Sequence, residues 1–119
     1  MKRFANKIVV ITGGSSGIGL ATAKQFVGEG ATVVITGRDQ KSLARAGDEL
    51  GHDSLTMQVD VTVMADLDRL FARVKQKVGR IDVLFANAGV AKLSPLETTT
   101  EALYDEMMNT NCRGAYFTA

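Results

Sequence analysis

Cysteine, histidine and proline occur once each among the 119 residues, and each scarcity removes a class of explanation. The single thiol, Cys112, has no internal disulfide partner, fits a reducing compartment and reads as a small buried hydrophobe within a helical pattern. The single histidine, His52, stands beside a turn glycine and reads as exposed, so no cluster of metal ligands emerges and no metal is expected. The single proline, Pro95, falls in the loop expected after the fourth strand, where a missing N–H is tolerated. Charge of one sign is lacking too. Fourteen basic against 13 acidic residues leave a net +1, which draws neither nucleic acid nor an anionic membrane. Long apolar runs are also missing. The first, Ile8 to Ile11, is too short for a signal peptide or a membrane span, so the cytoplasm is the expected location.

What is present is the balance of a globular domain, 45% hydrophobic and 23% charged, at a length that suits one domain with a real core. Two periods alternate along it. Ile8-Val9-Val10-Ile11, Val33-Val34-Ile35 and Val83-Leu84-Phe85 are continuous apolar runs, the pattern of parallel strands buried on both faces, and Leu55 to Val59 is a weaker fourth. Helical stripes lie between them: Leu43, Ala46, Gly47 and Leu50, then Leu67, Leu70, Phe71, Val74 and Val78. Gly30, Gly51 and Gly79 stand where helices would stop, and Asp66, Asp68, Arg69 and Arg73 read as a solvated helix face. Strand-helix alternation with right-handed crossovers predicts one three-layer, doubly wound α/β unit over residues 1–119, with a parallel sheet of about four strands in order 3-2-1-4. A last helix, with a capping box from Thr98 to Glu101, is expected to run through Tyr104, Met107, Met108, Asn111 and Ala115, and the chain ends inside it.

The chemistry concentrates after the first strand, in Thr12-Gly13-Gly14-Ser15-Ser16-Gly17-Ile18-Gly19. Gly13 permits a tight turn, Gly17 lets a pyrophosphate approach the backbone, and Gly19 lets the helix pack closely on the strand. The helix N-terminus then offers free N–H groups to the anion. A glycine-rich turn without a ligand is the plainer reading, but this one stands between a strand and a helix, the context of a Rossmann-type dinucleotide site. No Gly-Lys-Ser/Thr follows, which disfavours a P-loop for ATP or GTP.

Here the sequence resembles the short-chain dehydrogenase/reductase family over its whole length. Thr12 to Gly19 matches that family's Thr-Gly-x-x-x-Gly-x-Gly, and Asp60-Val61 its Asp-Val pair after strand three. Asn87-Ala88-Gly89 matches its Asn-Ala-Gly motif, with Ala86 where a further asparagine is usual, and Asn111 matches its helical asparagine. The resemblance implies a nicotinamide dinucleotide held by Gly13, Ser15, Ser16, Gly17, Ile18, Gly19, Asp60, Val61, Asn87, Ala88 and Gly89. It gives Asp60 the adenine amino group, Asn87 to Gly89 the adenosine ribose and the bracing of the sheet, and Asn111 a water in a proton relay. The plainer alternatives are an Asp60 that only caps the next helix and an Asn111 bonded to neighbouring backbone.

Cofactor choice turns on the end of strand two. An acid there would accept from the ribose 2′-OH of NAD, but the position reads as Gly37 followed by Arg38, whose fork suits the 2′-phosphate of NADP. NADP is therefore expected, with NAD as the alternative. Arg38 is otherwise a solvated residue after a turn, and Asp39 a helix cap or a partial ribose acceptor.

The resemblance also implies a tyrosine acid, a lysine four residues later and a serine that polarises the carbonyl. No Tyr-x-x-x-Lys occurs: Tyr104 is followed at that spacing by Met108, and Tyr116 stands too near the end. The chain reads as the N-terminal half of an NADP-dependent reductase, inactive alone, or else as a non-catalytic nucleotide-binding scaffold. An apolar strand four left at the sheet edge, long and flat, and a last helix short of cover predict a homodimer or larger assembly.

Overall fold

A computed structural model describes residues 3–51, 54–88, 100–108 and 118. Strands β1 (Ile8–Thr12), β2 (Thr32–Gly37), β3 (Ser54–Gln58) and β4 (Val83–Ala86) alternate with helices α1 (Gly17–Gly28), α2 (Gln40–Leu50), α3 (Met64–Lys77) and α4 (Glu101–Met108). The strands form one parallel sheet in the order β3-β2-β1-β4, as the strand-helix alternation predicts.

The continuous apolar runs work because neighbouring side chains leave opposite faces of a strand. Val9, Ile11, Val33 and Ile35 enter one core with Ala23 of α1 and with Leu43, Ala46 and Leu50 of α2. Val10 and Val34 enter a second core with Leu67, Leu70 and Val74 of α3. All five residues of β1 are buried, and its register sets Val10 beside Val34 on one side and Leu84 on the other. Two dry faces need two helical layers, and each layer uses the stripe legible in its sequence.

Three expectations shift. β3 spans Ser54–Gln58 rather than Leu55 to Val59, and the buried Val59 belongs to the connection beyond it. β4 is a short edge strand of four residues, with Val83, Leu84 and Phe85 half-buried, and so is not long. The helical face of α3 is not wholly solvated: Asp66 is half-buried and accepts from the backbone N–H of Asp60 at 2.9 Å, while Arg69 Nη2 donates to the carbonyl of Gln58 at 2.8 Å. Thr98, Cys112, Pro95, His52, Ala115, Tyr116 and Phe117 lie outside the described residues.

Candidate dinucleotide-binding site

The C-terminal ends of the parallel strands open into a cleft of about 400 Å³, within the range of ligand sites. Its position follows from the topology. From β1 the chain runs outward to β2 and β3 on one side and returns to β4 on the other, and such a reversal leaves a crevice beyond the strand ends. The lining comes from the β1–α1 turn (Gly13, Ser15, Ser16), the end of β2 and the start of α2 (Thr36, Gly37, Arg38, Asp39, Ser42), and the ends of β3 and β4 (Val59, Val61, Asn87, Ala88).

The turn is pinned from both sides. Gly14 N donates to the Thr36 carbonyl at 2.9 Å, and Asn87 Nδ2 donates to the Gly13 carbonyl at 3.2 Å. Thr12 Oγ1 accepts from the backbone N–H groups of Asn87 at 3.1 Å and Ala88 at 3.2 Å, closing β4 onto β1 past the last strand pair. Gly13 (φ +69°) and Gly17 (φ +60°) occupy the left-handed region, where a Cβ is strained. The sites differ in their surroundings: a Cβ on Gly13 would stand 2.9 Å from Ala88 Cα, whereas nothing lies within 4 Å of one on Gly17. That opening adjoins the first turn of α1, whose N-cap Ser16 uses no side-chain capping bond.

Gly19 is tighter still, but its neighbour is the turn rather than the strand: a Cβ would come within 2.3 Å of the Gly13 carbonyl oxygen and 2.6 Å of Asn87 Nδ2. Two close approaches escape a motif reading. A Cβ on Gly14 would meet Ile35 Cγ2 at 2.6 Å, and one on Gly37 would meet Ser15 Oγ at 2.9 Å. Only the fold brings β2 against this turn, so no local spacing marks them.

At the end of β2, Arg38 is exposed, and its guanidinium makes no hydrogen bond or ion pair among the described residues. Asp39 is the α2 cap: its carboxylate accepts from Lys41 N at 3.1 Å and Ser42 Oγ at 2.8 Å. The Ser42 hydroxyl, then the Lys41 amide, hold Asp39 below the usual carboxylate range. Asp60, in contrast, does not cap α3, whose N-cap is Val63. Its Oδ1 accepts from the backbone and hydroxyl of Thr62, at 2.9 and 2.7 Å, closing a two-residue turn. Burial pushes the Asp60 carboxyl up, but the Thr62 bonds and the Arg38 charge outweigh it and leave the group lowered. It is therefore an anion at neutral pH.

The structure thus gathers Gly13, Ser15, Ser16, Arg38, Val61, Asn87 and Ala88 on one cleft. Asp60 lines an adjoining hollow that shares Arg38 as a wall. Ile18 stands outside the cleft lining as a 73%-exposed apolar side chain on the first turn of α1. Gly89 and Asn111 lie outside the described residues. Among those residues no group of His, Cys, Asp and Glu is placed to hold a metal, and no helix is long and apolar enough to cross a membrane.

The family model for short-chain dehydrogenases matches residues 7–119. The chain belongs to the short-chain dehydrogenase family. An oxidoreductase of Sarocladium schorii is 45% identical over 118 residues, covering 99% of this chain and 47% of that protein. Galactitol 2-dehydrogenase of Agrobacterium fabrum is 33% identical, covering 97% and 45%. Among solved structures, a short-chain dehydrogenase from Bacillus anthracis superposes with a TM-score of 0.92 at 36% identity, covering 95% of this chain and 48% of its own. A 3-ketoacyl-(acyl-carrier-protein) reductase from Brucella melitensis, complexed with NADH, gives 0.93 at 34%, covering 97% and 48%. This short-chain dehydrogenase sequence therefore spans about half the length of the relatives it matches, and the Tyr-x-x-x-Lys pair is not within it.

Proposed function

We propose that residues 1–119 form the NADP(H)-binding part of a short-chain dehydrogenase that, as a whole protein, moves a hydride between the nicotinamide and a carbonyl or alcohol. The observation that carries this reading is one cleft lined both by Ser15 and Ser16, which lead into the open helix N-terminus at Gly17, and by the exposed Arg38. The first is a site for a pyrophosphate, and the second offers a fork to a 2′-phosphate. Asp39 is turned to α2 as its cap, with each oxygen accepting one bond there. The relatives' names, a dehydrogenase and a reductase, describe the two directions of one hydride exchange.

The residues present fit such a cofactor. Gly13, Ser15 and Ser16 would hold the pyrophosphate, Asn87 and Ala88 the adenosine ribose, and Asp60 with Val61 the adenine. The cofactor would supply or accept the hydride. This chain's residues bind and orient it, and proton transfer to the substrate oxygen needs groups that this sequence does not contain.

Nucleotide titration followed by cofactor fluorescence tests the reading. NADPH is expected to bind at least about tenfold more tightly than NADH, the worth of one charge-assisted contact. A carbonyl-reduction assay with the 119-residue chain should show no turnover above background. Failure of both nucleotides to bind would leave the alternative of a Rossmann scaffold, and turnover would overturn the assignment of the catalytic groups elsewhere.

A further inference from the structure

Asp60 and Val61 are consecutive, yet they line different spaces: Val61 the main cleft, and Asp60 a shallower hollow of about 380 Å³ beside it. Almost every polar atom of Asp60 is committed. Its N–H donates to Asp66 Oδ2 at 2.9 Å, and its carbonyl accepts from Val63 N at 3.0 Å. Oδ1 accepts from both the backbone N–H and the hydroxyl of Thr62. Only Oδ2 accepts no hydrogen bond among the described residues.

The bond to Asp66 has a local cause. Val63 caps α3 without a side-chain acceptor, and Asp66 is the third residue of that helix. A carboxylate at this position ordinarily reaches back to the N–H of the capping residue. Here the Val63 N–H is already engaged by the Asp60 carbonyl, and Asp66 reaches further back, to Asp60 N. Arg69 pairs with the other Asp66 oxygen at 3.4 Å and donates to the Gln58 carbonyl at 2.8 Å, which steadies the carboxylate against the end of β3.

We propose that Asp66 and Thr62 are positioning residues for base recognition. Asp66 fixes the main chain of Asp60, Thr62 fixes one oxygen of its carboxylate, and the remaining Oδ2 is left to accept from the exocyclic amino group of adenine. An ionised carboxylate can only accept, so it favours an amino edge over a carbonyl edge. The proposal rests on the assignment of adenine to Asp60 and is independent of the 2′-phosphate contact.

The test is a titration of NADPH against its hypoxanthine counterpart, in which a carbonyl oxygen replaces the adenine amino group. Both carry the same 2′ group, so the ratio of their affinities reports the reading of the base. The 119-residue chain should prefer the adenine form by about tenfold or more, the worth of a hydrogen bond to a charged group. Asp66→Ala and Thr62→Val should each cut that preference by about threefold or more, whereas Asp66→Asn, which keeps an acceptor for Asp60 N, should hold it within about twofold. Asp60→Ala is the control and should abolish it. Equal weakening of both nucleotides in Asp66→Ala and Thr62→Val would mean that these residues only support the fold; it would overturn the proposal and leave Asp60 as the adenine contact. An Asp60→Ala variant that keeps the full preference, or a parent chain that shows none, would remove the adenine assignment and this proposal together.

Discussion

Thr12 and Thr36 are each only 1% exposed, each near the end of a central strand, yet their hydroxyls stand in opposite circumstances. Thr12 Oγ1 accepts from two backbone N–H groups of the β4 end, whereas Thr36 Oγ1 has no partner among the described residues. Removing the first hydroxyl orphans the half-buried Ala88 N–H and leaves Asn87 N only its bond to the Phe85 carbonyl, at a cost of about 1–3 kcal/mol, while removing the second discards a group that is already desolvated without return. Thr12→Val should therefore lower the denaturation midpoint of the ligand-free protein. Thr36→Val, the same change of shape, should leave it equal or higher. Urea unfolding of both variants checks the sign. A comparable loss in the two would mean that the hydroxyl bonding described here does not govern them.

At the scale of elements, the amino and carboxyl edges of the sheet are built differently. The carboxyl edge is a glycine turn and a cleft; the amino edge is an ion-paired brace. Asp82, just before β4, accepts from Ile8 N at 2.8 Å and from Arg80 Nε at 3.0 Å, and Arg80 also donates to the Asn6 carbonyl. The Ile8 amide bond first, and the Arg80 bond second, hold Asp82 below the ordinary carboxylate range. A folded-state value below the unfolded one means that the unfolded chain binds the proton more readily as pH falls. The stabilisation is then fully present above the unfolded carboxylate value and is lost as pH drops through the folded one. Asp82→Asn should lower the neutral plateau of stability and flatten the acid limb below about pH 4, where the variant and the parent converge. Thermal melts across pH 2.5–7, a range of about four units around that carboxylate value, would show it; an unchanged acid limb would count against the brace.

The same scale explains what could be read before folding. β1 and β2 announce themselves because a strand buried on both faces must be apolar at nearly every position, as Val9 and Val10 are, and β4 carries the same apolar run although it is only half-buried. β3 alternates, with Leu55 and Met57 packed beneath and Thr56 and Gln58 exposed, so its ends blur by a residue. The glycine turn is legible because backbone conformation and close approach leave no other residue at Gly13 and Gly19. The Asp66–Arg69 pair was not. An i,i+3 ion pair on a helix looks the same in sequence whether it faces water or reaches back to the Gln58 carbonyl. Asp60 illustrates a similar blind spot: an acid between a strand and a helix suits both a cap and an Asx turn, and only the start of α3 at Met64 decides for the turn.

At the scale of the whole molecule the sheet has two edges of unlike chemistry. The β3 edge carries Ser54, Thr56 and Gln58, polar side chains that discourage a further strand. The β4 edge carries Val83, Leu84 and Phe85, only half-buried, whereas the corresponding residues of β1 are buried completely. Met108 of α4 adds an apolar side chain that is 43% exposed. Among the described residues no strand pairs with the outer side of β4, and an apolar edge of that kind gains both hydrogen bonds and burial from pairing, so the 119-residue chain should self-associate through β4 or α4. Light scattering over a hundredfold range of concentration should show the mass rising toward a dimer or beyond, roughly as for any interface of modest area. Met108→Glu separates the routes: it should suppress association through α4 and leave pairing through β4 intact. A monomer at the highest concentration would mean that neither apolar surface is available to a second copy.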